Sequence, residues 1–328
     1  MDFSFATGSN LTRKAWAKKW HVESQDESYF YGHGFVGDPS TYIIGELAEL
    51  QKEQGDQITV GILMKLSGAG VANDSDMETN EENPLYYDDA VVITQIRNAV
   101  RMAGKESEQR PADKSLREKV KTLLTEWQAA QIDQTIFTAL SASLTKAVYG
   151  GDATLTTNIE AGDYMTLALG GICKTYASKA TPRIKGPTVK GKKYAGVMVM
   201  SPDQEHDLTT LDGSWAQGNR EALPAGMDNP IFTDVIGVRR NVIYHSHPRI
   251  SLATTWGAGA NLNGATALFL GIGAGTIAYA KKKIWEEKSF DYANKVGFCV
   301  GSLYGFTKNV FNAADYAVVG VRTYRSNN

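Results

Sequence analysis

The chain has 328 residues, enough for about two domains with their own apolar cores, and its 42% hydrophobic and 21% charged content is that of an ordinary soluble protein. With 34 basic against 36 acidic side chains the net charge is -2, which removes any global electrostatic case for a nucleic-acid reader and leaves room only for local, sequence-blind DNA contact. Cys173 and Cys299 are the only cysteines, too few for a disulfide framework and too far apart for a CxxC pair, so both are expected as buried thiols in a reducing compartment.

The first stretch, "MDFSFATGSNLTRKAWAKKW", lacks the apolar core and small-residue cleavage site of a signal peptide, and secretion is not expected. Residues 1 to about 50 mix aromatics, glycine and charge without a sustained period, apart from a helical stretch near "TYIIGELAEL"; they read as an arm that gains order from partners. From Ile58 the pattern alternates. Ile58, Val60, Ile62, Met64 and Leu66 fall on one face of a strand that ends at "SGAG". The turn formers and acids of "VANDSDMETNEENP" follow, and "LYYDDAVVITQIRNAV" returns as a β-rich run. An isolated hairpin is marginal in water, so this long two-stranded excursion should find its second layer on the body or on a neighbouring copy.

A long helix comes next. Ser115 with Glu118 makes a capping box, and Leu116, Val120, Leu123, Leu124 and Trp127 form a core stripe. Beyond Trp127 the apolar positions move to Ile132, Ile136 and Leu140, so the second half should be covered on another face. "IEAGDYMTLALGGICKTYASK" reads as a helix, "KYAGVMVM" as a buried strand, and Ser201, Pro202 and Gln204 as a capped helix start. "DNPIFTDVIGVRRNVIYHSHPRI" reads as a loop and then a strand that Pro248 ends. "ATALFLGIGAGTIAYA", residues 265 to 280, is too short and glycine-rich for a membrane span and reads as buried strands; two or three more strands close the chain. The mixture is α+β, without a βα repeat or an internal repeat.

The motifs that could carry chemistry fail on their details. "GPTVKGKK", residues 186 to 193, nearly spells a phosphate-binding loop, but Lys193 replaces the magnesium-binding hydroxyl and the segment precedes a strand instead of opening a helix, so it reads as a basic surface loop. "GIGAGT" has its third glycine one residue early for a dinucleotide turn. His245 and His247 alternate on a strand without a third ligand in sight and read as a solvated strand end; His21, His33 and His206 are scattered. Asp88 and Asp89 point to opposite faces, and no GxSxG elbow exists. The acidic tip of Asp74, Asp76, Glu78, Glu81 and Glu82 misses the calcium-loop pattern, with Thr79 at its sixth position and Leu85 at its twelfth. It is a solvated tip or one that pairs with basic residues on another subunit. No catalytic, cofactor or metal site is assigned.

The runs "MKLSGAG", "NEENPLYYDDAVVITQIRNAVR", "KTLLTEWQAAQIDQTIFTALS", "DNPIFTDVIGV" and "FDYANKVGFCVGSLYG" resemble, in order, the major capsid (coat) proteins of tailed bacteriophages, in particular the subfamily typified by podoviruses that carry a virion RNA polymerase. The resemblance extends from about residue 55 to the end. It implies the fold shared by tailed-phage and herpesvirus major capsid proteins: an N-terminal arm over 1–55, an E-loop hairpin over 56–104, a P domain with its spine helix over 105–154, an A domain over 155–280, and return strands of the P domain over 281–328. It implies that Asp74, Asp76, Glu78, Glu81, Glu82, Tyr86 and Tyr87 of the E-loop meet a neighbouring subunit. The expected role is self-assembly, as hexamers and pentamers, into an icosahedral shell around double-stranded DNA. Portal, scaffolding and decoration proteins are the further partners, with assembly in the host bacterial cytoplasm, no cofactor and no membrane. An encapsulin-like compartment of the same fold and a nucleotide-binding enzyme built on "GPTVKGKK" are the alternatives.

Overall fold

The computed structural model describes residues 28–48, 55–73, 76–105, 116–189, 191–215, 235–292 and 294–326. The apolar run Gly196–Met200 is a strand in which every residue is buried, the pattern of a strand covered on both faces. It lies inside a seven-stranded sheet in the order Val235–Arg239, Val242–Ser246, Gly196–Met200, Leu262–Leu270, Val318–Tyr324 and Ala147–Tyr149, with Leu252–Trp256 also paired to Leu262–Leu270. A five-stranded sheet runs Val36–Gly37, Ile44–Leu47, Gly275–Phe290, Lys295–Lys308 and Thr94–Arg101. The apolar stretch 265 to 280 therefore supplies strands to both sheets, which turn into one another at Gly273, φ +75°. No described helix is long and apolar enough to cross a membrane. Helices and strands do not alternate in βα units, and the architecture is α+β.

Helix Pro202–Leu211 starts as its sequence dictates. Ser201 Oγ accepts from Gln204 N–H at 3.2 Å while Gln204 Oε1 accepts from Ser201 N–H at 3.1 Å. Gln204 is fully buried, and its amide also donates to Thr323 Oγ1 at 2.7 Å and to the Ala265 carbonyl at 3.1 Å. A buried amide is tolerated because each of these groups is satisfied.

The 26-residue helix Leu116–Ser141 spans about 39 Å at the helical rise. Its two halves serve two cores. Val120 and Leu124 pack with Met102, Phe298 and Val300, whereas Ile132, Ile136, Phe137 and Leu140 enter the main core with the seven-stranded sheet. The stripe needs one correction: Leu123 is 52% exposed, because the sheet covers only the line through Val120, Leu124 and Trp127 and leaves the flank in solvent. Ser115 lies outside the described residues, as do the side chains of Leu116 and Glu118. Trp127 is half-buried at the edge of the smaller cluster. Trp127→Ala is therefore expected to cost about 1–3 kcal/mol and to leave soluble protein with a lowered melting temperature. Insoluble protein would show that the edge is tighter than its exposure indicates.

Residues 28–47, expected within an arm, are set into the main core. Phe30, Phe35, Ile43 and Ile44 are essentially inaccessible. The helical stretch expected near 41–50 is instead the strand Ile44–Leu47, parallel to Gly275–Phe290 with Ile44 opposite Gly275. The unfilled edge of the sheet outcompetes local helix propensity here. Asp133, on the long helix, holds this segment in place. It accepts from Tyr29 N–H at 2.6 Å, Ser28 Oγ at 2.8 Å and Phe30 N–H at 3.5 Å, with Arg249 Nη1 3.7 Å away. Burial pushes the Asp133 carboxyl above its ordinary range, against the pull of these donors.

A second buried charge ties the end of the long helix to the last strands. Lys308 Nζ lies 2.7 Å from Asp315 Oδ1 and donates to the Ala142 carbonyl at 2.6 Å and the Ser143 carbonyl at 3.3 Å. Asp315 Oδ2 accepts from Thr145 N–H at 2.7 Å. Carbonyls left open where a helix ends thus meet a cation, which is also the favourable sign at that end of the dipole.

Three other readings change. The segment expected as loop then strand is a hairpin, Val235–Arg239 with Val242–Ser246, turning at Arg240 and Asn241 with φ of +50° and +65°. Two successive positive φ values fit the right-handed twist of the flanking strands; residues 216–234 lie outside the described set. His245 is fully buried instead of solvated, its ring 5.3 Å from those of His33 and Phe35. Of the two cysteines, Cys173 is buried and burial pushes its thiol up to about 12, but Cys299 is only half-buried.

Candidate assembly surface

The alternation that begins at Ile58 builds the hairpin Gln57–Leu63 and Tyr86–Val92, in register from Gln57 opposite Val92 to Leu63 opposite Tyr86. Only its base is dry. Ile58 and Val91 are buried with Ala278 of the five-stranded sheet, with Val60 and Ile93 packed alongside. Gly305 allows the approach, since a Cβ there would sit 2.1 Å from the Val92 carbonyl oxygen. Asp89 Oδ2 accepts from Val310 N–H at 3.0 Å, a second tie to the body. Ile62 is half-buried and Leu66 is exposed, so the apolar face is covered at one end and bare at the other. Thr94–Arg101, expected in the same two-stranded excursion, instead pairs with Lys295–Lys308 in the five-stranded sheet.

Beyond Leu63 the described residues 64–73 and 76–85 form a crest without regular strands. Its neck is closed by Met64 N–H donating to the Leu85 carbonyl at 2.8 Å, and Asn80 Nδ2 donates to the Asp76 carbonyl at 2.9 Å. The acids of the tip separate into two kinds. Glu82 accepts from Ser67 N–H at 2.6 Å and Gly68 N–H at 2.7 Å, and these amides hold its carboxyl below the ordinary range. Its clamp is fully present above the ordinary glutamate range and is lost only as pH falls through the lowered value. Asp76, Glu78 and Glu81 are exposed, and their carboxylates make no ion pair among the described residues. Asp74 lies outside the described residues.

Large apolar side chains stand bare on the solvent face of the hairpin, at Leu63, Tyr86 and Val92 among the polar Gln57, Thr59 and Asp88, and on the crest, at Leu66, Met77 and Leu85. Leu63, Leu66, Met77, Leu85, Tyr86 and Val92 are each 57–67% exposed. Tyr86 lies across Gly61, where a Cβ would collide with its phenol, and Tyr87 is half-buried on the opposite face. Leu63, Met77, Leu85 and Val92 were not singled out by the sequence; the available signal was that Leu63 and Val92 break the alternation on the face that should be polar. Apolar area of this kind marks an interaction surface, because covering each large side chain is worth about 1.5–3 kcal/mol.

The remaining motifs build no catalytic centre. "GPTVKGKK" is a short hairpin, Thr188–Val189 with Lys192–Lys193, that turns at Gly191, φ +80°. It opens no helix and so lacks the amide cradle of a nucleotide site. "GIGAGT" is the inter-sheet turn. No group of three potential metal-ligating side chains occurs among the described residues.

A family model described as phage capsid protein matches residues 4–145 and 136–326. The chain belongs to this family. The major capsid protein of Pseudomonas phage KPP25 is 24% identical over 368 residues, covering 97% of this chain and 96% of that protein. Among solved structures, the capsid of Ralstonia phage GP4 superposes with a TM-score of 0.85 at 27% identity, covering 100% of this chain and 99% of the other. The capsid asymmetric unit of cyanophage Pam1 gives 0.82 at 23% identity with 100% of both chains covered. The fold of this capsid protein is thus that of the tailed-phage shells. It is a structural protein of the phage capsid and not an enzyme, which excludes the nucleotide-using alternative and favours the shell reading over a cargo compartment.

Proposed function

We propose that this chain assembles, through hexamers and pentamers, into an icosahedral shell that encloses double-stranded DNA, and that the hairpin 57–92 is an E-loop laid over a neighbouring subunit. Heterologous contacts of this kind use two different surfaces of one chain and close into rings. The carrying observation is the set of bare apolar side chains on the hairpin and its crest, Leu63, Leu66, Met77, Leu85, Tyr86 and Val92, on an arm joined to its body by the small buried core of Ile58, Val91 and Ala278. In this reading the long helix is the spine of a P domain with Lys295–Lys308 packed against it, and the strands between 196 and 270 are the centre of an A domain over about 155–280, into whose sheet the last strand, Val318–Tyr324, returns from the expected P-domain segment. Scaffolding, portal and decoration proteins would act with it in the host cytoplasm. The subfamily typified by podoviruses with a virion RNA polymerase is the finer placement, carried by the blocks quoted above.

Sedimentation and negative-stain microscopy of the purified chain, with a scaffold supplied, should reveal capsomers or shells. A monomer under every such condition would falsify the reading. Within it, the two kinds of acid make separate predictions. Glu78→Lys with Glu81→Lys should leave melting nearly unchanged, since exposed charges contribute little to folding, yet slow association, with the difference shrinking in salt. Glu82→Ala should loosen the crest itself and raise the rate of limited proteolysis between 64 and 85 in free subunits. Equal assembly rates for the double variant and the parent would show that Glu78 and Glu81 are merely solvated.

A further inference from the structure

We propose that a basic cleft beside helix Leu167–Lys179 holds backbone phosphates of double-stranded DNA. The inference deepens the shell reading, because it rests on duplex DNA being what the shell encloses. The cleft, about 540 Å³, opens between the turn at Ser40 and Thr41, the end of that helix and the segments 183–188 and 193–195. Four of its fifteen lining residues are cationic, Lys174, Arg183, Lys185 and Lys193, and none is acidic. The ion pairs among the described residues involve none of the four.

The concentration of charge is local. From 174 to 193 seven of the twenty residues are Lys or Arg and none is Asp or Glu, in a chain whose net charge is -2. The nearby carboxylate, Asp38, is engaged with Ser40, accepting from its N–H at 2.8 Å and from its hydroxyl. The negative end of the helix is partly neutralised as well: the Tyr176 carbonyl accepts from Ala180 N–H at 2.9 Å and the Ala177 carbonyl from Ile184 N–H at 3.1 Å.

The chemistry favours a phosphate backbone over a free nucleotide. Point charges supplemented by the hydroxyls of Thr41 and Thr188 position a phosphate chain and carry no sequence information. A nucleoside would also need a face for its base, but the one aromatic lining residue, Tyr194, is buried, with Lys192 Nζ 5.5 Å from its ring centre.

The test is fluorescence anisotropy of the full-length chain with labelled duplexes of two unrelated sequences, over a salt series. Binding should be equal for both sequences, and log affinity should fall with log salt by about 0.9 per phosphate engaged. Lys185→Ala with Lys193→Ala should weaken binding about tenfold at low salt and lower the slope by about two, with melting unchanged. Lys281→Ala with Lys288→Ala, outside the cleft, should change neither. Unchanged affinity and slope in the cleft variant would overturn the proposal. So would displacement of the duplex by a nucleoside triphosphate at equal phosphate concentration, or by a peptide of residues 76–85 at equal charge. Sedimentation of the same variant keeps the two readings apart: normal shells with lost DNA affinity speak to the cleft alone, and absence of shells from the parent chain speaks against the shell reading.

Discussion

Lys308→Met is expected to destabilise the subunit by about 3–5 kcal/mol, the cost of leaving a buried charge without its partner. The ammonium is 8% exposed and Asp315 is fully buried, so solvent cannot replace what the variant removes. Two carbonyls at the end of the long helix, those of Ala142 and Ser143, lose their donor in the same step. The double variant Lys308→Met with Asp315→Asn should recover part of the loss, because it removes the orphaned carboxylate along with its partner. Chemical denaturation of the two variants and the parent checks this. A double variant no more stable than the single one would place the cost in the helix carbonyls instead of the ion pair.

The second large effect is expected at Asp133. Asp133→Ala leaves the Tyr29 and Phe30 amides and the Ser28 hydroxyl without their acceptor and removes the carboxylate facing Arg249. A loss of about 3–5 kcal/mol follows from breaking a buried charged contact. Hydrogen exchange should show the loss first at residues 28–35, as they leave the long helix, before the seven-stranded sheet opens. The pH dependence has a definite sign. Because burial raises the folded carboxyl above its unfolded value, the folded state holds more proton between the two values, and the parent loses stability as pH rises through that window. Asp133→Ala should abolish this part of the pH dependence; if stability near mildly acidic pH is unchanged in slope, the carboxyl does not titrate there.

Where one local pattern decides the outcome, the sequence was readable. The capping box at Ser201 and Gln204, the all-apolar strand Gly196–Met200, and the shift of the helix stripe from Val120 and Leu124 to Ile132 and Ile136 each correspond to what the chain does. Partner surfaces set by distant residues were not readable. Ile44–Leu47 becomes a strand only because Gly275–Phe290 offers an edge more than 200 residues later. His245 is buried because Tyr29, His33 and Phe35 return over it, and no spacing around residue 245 announces that. The assembly surface was half legible. Its acids are visible in the sequence, but the role of Glu82 depends on the fold of Ser67 and Gly68 against it, and the exposure of Leu85 and Val92 is known only once the hairpin has a face turned from its body.

The hairpin's narrow footing has a mechanical meaning. Ile58, Val91 and Ala278 form a pivot with little contact area, whereas the sheets and the long helix behind it share a large common core. Tilting the arm by a few degrees disturbs that pivot and the Asp89–Val310 tie beside it, whereas rotating elements within the body would strain many close-packed neighbours. A chain built this way places compliance and stiffness in different parts. In the proposed shell of hexamers and pentamers, one sequence would fit both five-fold and six-fold surroundings by bending at the foot of the arm, where deformation is least costly.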